Sequence, residues 1–482
     1  LDLSAYPEAP WVMDAVQGLR EKSLLRSQPA ADLPDEPRFG MYLSIWEYAH
    51  QKLAASGMAE AVHARHAAYY LTLSEGLAKG ALTNSPTMCR LAVERENFLE
   101  IYHRAVAVSP ATIESVTRSL QAVLALDPVH SVKGPFGPHL QLLDQALRHS
   151  DMPGVPLRLR GWALDARGRC RRLLGQMAEC LQDHQAALEI ATSTGDKVLE
   201  GVSCQMLGLV NQNMGHLDVA RQMYARALAA VRSMPHLPYE GRILMALGYL
   251  HLEEGKLSEA LELLTQAVTL LNAQGEIRFE GIALSHRGYV LLELGQQDEA
   301  HRCFDRAIQL SREACDRRTE GLIYGTYGDE AFLEGRLDQA LLYYEQTLTL
   351  LREVDERRFQ DLYMCRKGGV LAAMGQLAQA EEALEQAGAN LSGSIDAVFQ
   401  TVMAIHAAQL QLARARAALA SGGGDLTARL GHIRSLIQDC EATGPATEEY
   451  PEGLPSKVSQ SDEVRLSVRM LKQDLERFVP TR

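Results

Sequence analysis

Arg158, Arg160, Arg167, Arg169, Arg171 and Arg172 fall within fifteen residues. Guanidinium groups offer forked donors that match carboxylate and phosphate oxygens. The run is therefore a candidate anion or acidic-partner patch, with Arg158, Arg160, Arg167 and Arg171 at its centre. The other reading is a solvated charged cap on the end of a helical array. His63 and His66 lie three apart on a helical stretch after Glu60. That is half a metal site without a third ligand, so packing or solvation is preferred and no metal is assigned. No G-x-x-x-x-G-K-[ST] phosphate loop is present, because Gly255-Lys256-Leu257 lacks both the leading glycine and the hydroxyl. Neither G-x-G-x-x-G nor G-x-S-x-G occurs. No residue set argues for catalysis, and no cofactor is expected in this chain.

The arginine run sits at the start of a repeat. Gly175, Gly215, Gly255, Gly295, Gly335 and Gly375 recur every forty residues. A second glycine register runs seven residues upstream, from Gly168 to Gly368. Two small-residue registers follow, Cys180 to Ala380 and Ala187 to Ala387, with Thr347 standing in once. Registers in phase over more than 200 residues mean a solenoid, which is a binding surface before it is an enzyme. With repeat position 1 at Gly161, Gly201, Gly241, Gly281, Gly321 and Asp361, each unit reads as two helices. Positions 17, 20, 24, 27 and 28 form one apolar stripe at helical spacing. Glycine inside a helix costs about 1 kcal/mol against alanine. Position 8 incurs that cost in every unit, so close approach of the two helices is expected there. Position 15 lies at a helix end, where glycine takes the left-handed cap. Glu200, Glu240, Glu280 and Glu320 precede position 1, near a helix start that favours a negative charge.

Bulk properties narrow the class. The chain has 482 residues, is 46% hydrophobic and only 6% aromatic, and carries a net charge of −13. That charge disfavours a general nucleic-acid or anionic-membrane surface. No apolar run reaches the ~20 residues of a membrane span. The eight cysteines include no C-x-x-C pair, and read as reduced cytosolic thiols. The chain starts at Leu1 with no signal-peptide pattern, and is expected to be part of something longer.

The repeat spacing resembles the tetratricopeptide repeat: Leu or Tyr at position 7, Gly at 8 and 15, Ala at 20, Phe or Tyr at 24, Ala at 27. The usual period is 34, so six extra residues per unit are expected to lengthen the helices. The resemblance implies partner binding in a concave groove lined by first helices, at positions 2, 5, 9, 12 and 13. Carried over, the groove candidates are Arg169, Arg172, Gln205, Gln212, Tyr249, Leu252, Glu253, Tyr289, Glu293, Asp329 and Phe332. A protein or peptide partner is the implied ligand, and Tyr249, Tyr289, Glu253 and Glu293 suit a basic or aromatic-bearing segment. These four are expected to be at least half exposed. The competing reading is that they only pack between repeats.

The first fifty residues read as a helix from about Pro10 to Lys22, a strand at Ser23 to Arg26, a loop, a strand at Arg38 to Leu43, and a helix from Ile45 to Ala55. This is the back half of a winged helix. The stretch from Leu43 to Glu75, with Glu96-Asn97-Phe98 further on, resembles bacterial signal-transducing ATPases with numerous domains, the STAND class. That resemblance implies a missing N-terminal nucleotide-binding module, a winged helix and a repeat arm in succession. The family's Met-His-Asp motif reads Met41-Tyr42-Leu43 here, so phosphate sensing through it is not expected.

The expected architecture is all-α: an α-α superhelix of forty-residue units preceded by a partial winged helix. The divisions are a winged-helix remnant at 1–55, a helical connector at 56–150, the solenoid at 151–441, a linker at 442–461 and a last helix at 462–482. The expected function is the cytoplasmic sensor arm of a STAND-type regulator. The alternatives are a freestanding scaffold without a switch and an unrecognised hydrolase.

Overall fold

The computed structural model describes residues 11–30, 33–78, 85–233, 239–391 and 397–420. The end of the expected solenoid beyond 420, the linker, the last helix and Cys440 lie outside them. The chain divides into two compact units, Leu1–Leu126 and Asp127–Arg482.

In the first unit, α1 (Val12–Glu21) leads into an antiparallel hairpin of β1 (Arg26–Ala30) and β2 (Leu33–Gly40). Ser27 pairs with Phe39 and Gln28 with Arg38. Helices α2 (Leu43–Ala55), α3 (Ala59–Ala78), α4 (Ser85–Val93), α5 (Arg95–Val106) and the first part of α6 (Ile113–Lys133) follow. Phe98 and Tyr102 of α5 are fully buried, and the Tyr70 ring meets Phe98 edge-on at 6.3 Å. Arg38 fixes the hairpin to this helical part. Its guanidinium donates to both carboxylate oxygens of buried Glu94, at 2.7 and 2.9 Å, and to the Val93 carbonyl at 2.8 Å. Burial alone would raise the Glu94 carboxyl, but the Arg38 bonds and charge hold it below its usual range.

The second unit is the solenoid. After α7 (Phe136–Leu147), each repeat is a hairpin of a first and a second helix: α8 (Leu157–Leu173) with α9 (Met177–Thr194), and α10 (Lys197–Asn213) with α11 (Leu217–Arg232). Next come α12 (Glu240–Glu253) with α13 (Leu257–Ala273), and α14 (Ile277–Glu293) with α15 (Gln297–Glu313). The array continues with α16 (Arg317–Leu333) and α17 (Leu337–Glu353), α18 (Arg357–Ala373) and α19 (Leu377–Leu391), then α20 (Ala397–Ala420). In the regular units both helices run 17 residues, and each turn takes three, as at 294–296 and 314–316. Two such helices and two such turns make forty. The extra residues therefore lengthen the helices, each about 25 Å long at 1.5 Å per residue.

The glycine registers have separate causes. A Cβ at Gly288 would lie 2.5 Å from the Phe304 ring, and one at Gly208 2.6 Å from the Tyr224 ring. Position 8 thus lets position 24 of the paired helix lie against bare backbone, and that packing offsets the propensity cost. Gly295 has φ +73 and nothing near its missing Cβ, so conformation alone selects it. Its amide donates to the Leu292 carbonyl and the Gln296 amide to Leu291, the Schellman closure of a helix end. The small residues at positions 20 and 27 are fully buried, as in Ala300 and Ala307.

Candidate functional site

Each first helix touches the next along α8, α10, α12, α14 and α16, while the second helices form the outer layer. Tyr363 of α18 packs against buried Tyr344, and its hydroxyl donates to the Leu322 carbonyl of α16. Helix α18 then meets α8. Phe136, Leu173 and Val354 are buried together at this seam, and a Cβ at Gly134 would stand 2.5 Å from the Val354 carbonyl oxygen. The superhelix closes on itself, and its first helices surround a bore.

The arginine run sits at one end of that ring, mostly paired. Arg167 donates to Asp183 at 2.6 to 3.2 Å and to Asp144 at 3.1 Å. Arg171 donates to Asp183 at 2.8 Å and lies 3.5 Å from Asp144. Arg158, largely exposed, bonds Asp196 at 2.9 Å. Arg169 is held by Asp127 at 2.6 Å and by Asp165, whose other oxygen contacts His184 Nδ1 at 3.1 Å. Arg160 is half-buried and its Nε has no hydrogen-bond partner. The patch foreseen on Arg158, Arg160, Arg167 and Arg171 thus has three of its four cations bound to carboxylates of the same chain.

The groove candidates converge on the bore. Gln212 is buried, donates to Glu253 at 2.9 Å and accepts from the Tyr224 hydroxyl at 2.8 Å. Gln205 donates to the Arg242 carbonyl at 3.3 Å. Tyr249 lies 4.5 Å from the His286 ring, and Tyr289 accepts from the Thr326 hydroxyl at 2.9 Å. Asp329 accepts from the Tyr344 hydroxyl at 2.6 Å and pairs with buried Arg366. Leu252 is buried in core and Phe332 packs at its edge. Glu253 is exposed, whereas the other three of its set fall short of the expected half-exposure. Tyr249 and Tyr289 are half-buried and Glu293 is 8% exposed. Packing between repeats is the reason for the tyrosines, since Tyr249 lies against His286 of the next unit and Tyr289 against Phe304 and Thr326. Burial raises both tyrosine hydroxyls above their ordinary value.

Two registers escaped the sequence reading. Position 6 also faces the bore and supplies His286, Thr326 and Arg366. Burial, with the Arg318 charge, pushes His286 down to about 3, so it stays neutral at ordinary pH. The second register joins an arginine three residues before position 1 to an acid in the next unit. Arg278 bonds Asp316 at 2.8 Å, and Arg318 lies 3.5 Å from Glu356. The signal was present in sequence as Glu276, Asp316 and Glu356, each followed two residues later by Arg278, Arg318 and Arg358.

Arg172 differs from its neighbours. It is half-buried, its Nε is sealed from solvent without a hydrogen bond, and it has no ion-pair partner among the described residues. Burial first, then the nearby Arg318 and Arg358 charges, push its guanidinium down to about 9.

Other features carry less. His66 Nε2 contacts the Asn97 side-chain oxygen at 3.2 Å, and His63 lies 6.4 Å from the His50 ring. Among the described residues no cluster could hold a metal, and no helix is long and apolar enough to cross a membrane. The described cysteines are free, with Cys170, Cys180, Cys204, Cys303 and Cys365 buried.

No curated protein matches the chain in sequence. A Rap protein complexed with competence and sporulation factor is 14% identical, with 76% of this chain and 98% of that chain covered at a TM-score of 0.47. The Rap conjugation gene regulator of plasmid pLS20, in complex with the Phr* peptide, is 17% identical over 58% of this chain and 76% of that one, TM-score 0.47. A STAND protein with a tetratricopeptide repeat sensor from Pyrococcus horikoshii is 14% identical, covering 72% of this chain and 53% of that chain, TM-score 0.39. Residues 185–422 match the family model of the MalT-like TPR region, so the solenoid of this chain is a tetratricopeptide-type repeat array, a protein-interaction fold.

Proposed function

We propose that this chain is the sensor arm of a STAND-type regulator, and that a protein or peptide partner is taken up in the bore of its repeat array. The carrying observation is the ring of first helices, with tyrosines, a neutral histidine and an unpaired arginine turned inward. Tetratricopeptide folds are typically non-catalytic, and the interior groups form a recognition surface rather than a nucleophile with a base. The MalT-like TPR match supports a partner-binding repeat arm. The helix and hairpin at 12–40 support a winged-helix remnant. Trp11, Leu43 and Trp46 are 71%, 71% and 47% exposed, which suits docking of a nucleotide-binding module. The switch would hold or release that module when the partner arrives, in the cytoplasm.

The test places a photo-crosslinking amino acid at Glu253 or Leu333, exposed ends of first helices, and at Asp298 on an outer helix. Partner crosslinks from 253 and 333 but not 298 are expected. Crosslinks from 298 alone would move binding to the outer face and end this reading.

A further inference from the structure

We propose that a hollow in the outer layer of the array, walled by Tyr324, Tyr327 and Tyr343 and edged by Asp305, is a binding site for a small organic cation of the alkylammonium class. The site is separate from the bore and does not depend on the reading of the bore as a partner channel.

The hollow lies where α15 meets the next hairpin, α16 with α17. Its volume is about 380 Å³, at the small end of the roughly 300–1,000 Å³ that ligand sites span. Asp305, Ile308, Gln309 and Arg312 of α15 line it together with the three tyrosines. The Tyr343 ring centroid is 6.3 Å from that of Tyr324 and 5.8 Å from that of Tyr327. All three side chains are half-buried, so part of each ring stays open to solvent. Two of the hydroxyls are already tied down. Tyr327 donates to Asp305 at 3.1 Å, and Tyr324 accepts from Arg312 at 2.7 Å. The ring surfaces are what is left for a ligand. The sequence sets this unit apart from the others. The three tyrosines stand at repeat positions 4, 7 and 23, and no other unit has tyrosine at any of them. Position 4 elsewhere is Leu164, Cys204, Leu244, Leu284 or Met364. Aliphatic side chains suffice for packing there, so three rings gathered at one hollow call for another reason.

Charge selects the ligand. The face of an aromatic ring is electron-rich and attracts cations, quaternary and alkylated ammonium groups above all. Asp305 is exposed, accepts only from the Tyr327 hydroxyl and has no cationic partner among the described residues. Glu330 is a second acid near Tyr327, and its partner is His301 at 3.1 Å rather than a lysine or arginine. Burial, with the Asp305 and Glu330 charges, raises the Tyr327 hydroxyl above its ordinary value and keeps it a neutral donor. The one cation in the wall, Arg312, is neutralised, because its Nε donates to buried Glu320 at 2.7 Å. Arg306 donates to the Gln309 side-chain oxygen at 2.9 Å and does not line the hollow. An anion would meet Asp305 and ring faces of the wrong sign. A neutral aliphatic group would forgo both attractions.

The experiment titrates the full chain with choline and follows binding by ligand-observed NMR. The comparison probes are the neutral analogue of choline in which carbon replaces nitrogen, and an end-capped peptide carrying one lysine. Choline is expected to bind, and the neutral analogue on the order of tenfold more weakly. Tyr324→Leu and Tyr343→Leu should each weaken choline on the order of fivefold. Both should melt near the parent temperature, since Leu244 and Leu263 hold the same positions in the third unit. Tyr343→Phe keeps the ring and should bind like the parent. Asp305→Asn keeps an oxygen for the Tyr327 hydroxyl, loses the charge and should weaken choline on the order of threefold. Because Asp305 is exposed, that variant tests the site even if a leucine variant fails to fold. No binding of choline overturns the site, and so does equal binding of choline and its neutral analogue. Equal affinity in the parent, the folded leucine variants and Asp305→Asn does the same. A loss in Tyr343→Phe as large as in Tyr343→Leu would put the contact on the hydroxyl and overturn the ring mechanism. Binding of the lysine peptide without choline overturns the assigned occupant. None of these variants touches the bore, so the crosslinking result and this one stand or fall separately.

Discussion

Single residues separate two uses of the same amino acid. Gly288 is required by Phe304, which is fully buried and cannot yield. Gly288→Ala should cost about 2 kcal/mol by overpacking, although alanine is the better helix former by about 1 kcal/mol. Chemical denaturation reads this, and adding Phe304→Ala should leave the glycine replacement nearly neutral. Additive costs in the double variant would mean that the two do not touch. Asp127 gives a residue-level pH prediction. Burial would raise its carboxyl, but the Arg169 charge and the His139 and Arg169 hydrogen bonds bring it down to about 2. A lowered folded pKa gives stability that is present above the ordinary aspartate range and lost as pH falls through about 2. Asp127→Asn should flatten the stability profile between about pH 4 and 2. An unchanged acid limb would show the pair to be weak.

At the scale of elements, the turns into the first helices join capping to ion pairing. Asp316 accepts from the Thr319 amide and hydroxyl, each at 3.0 Å, and from Arg278 at 2.8 Å. Asp196 caps the Leu199 amide at 3.1 Å in the same way, but its Arg158 partner is 69% exposed against 17% for Arg278. Losing a cap costs about 1 kcal/mol. Stranding a shielded cation adds to it, so Asp316→Ala should cost about 3 kcal/mol and Asp196→Ala about 1. Equal melting shifts in the two variants would show that the Arg278 pair contributes nothing. The registers read from sequence placed these helix starts well, because capping is local chemistry. They did not show which arginine each acid would face, since that partner comes from the preceding unit.

At the scale of the repeat unit as a whole, closure of the ring decides which residues can be reached. Val354 is 1% exposed and sits on Phe136 and Leu173 at the seam. Val354→Asp would bury an unpaired carboxylate there, so the seam should open while the hairpins persist. Hydrogen exchange should then speed up near 134–137 and 354–356, and stay slow in α12 and α13. Protection kept at the seam would mean that α8 and α18 are held together some other way. Packing of each hairpin on the next explains why Tyr249 and Tyr289 are less exposed than an open groove would leave them. The cost of changing them therefore includes packing, and rim positions such as Glu253 and Leu333 are the cleaner probes.

The sequence by itself determined the forty-residue hairpin, the helix and turn lengths, and the positions that take glycine or another small residue. These follow from contacts between residues about 16 apart in one unit, such as Gly288 and Phe304, and from left-handed turn residues such as Gly295. Local chemistry is periodic, so the period in sequence reveals it. It also brought Arg172, Tyr249 and Tyr289 to the inner face, because the first-helix register repeats. Which arginines are neutralised was settled only in three dimensions. Arg167 and Arg171 meet Asp183, while Arg172 has no ion-pair partner among the described residues. The seam of α8 on α18 depends on a small rotation per repeat, summed until α18 returns to α8. No single residue encodes the rotation. It accumulates from the packing of every hairpin on the next, so the bore and its unpaired charge belong to the tertiary structure alone.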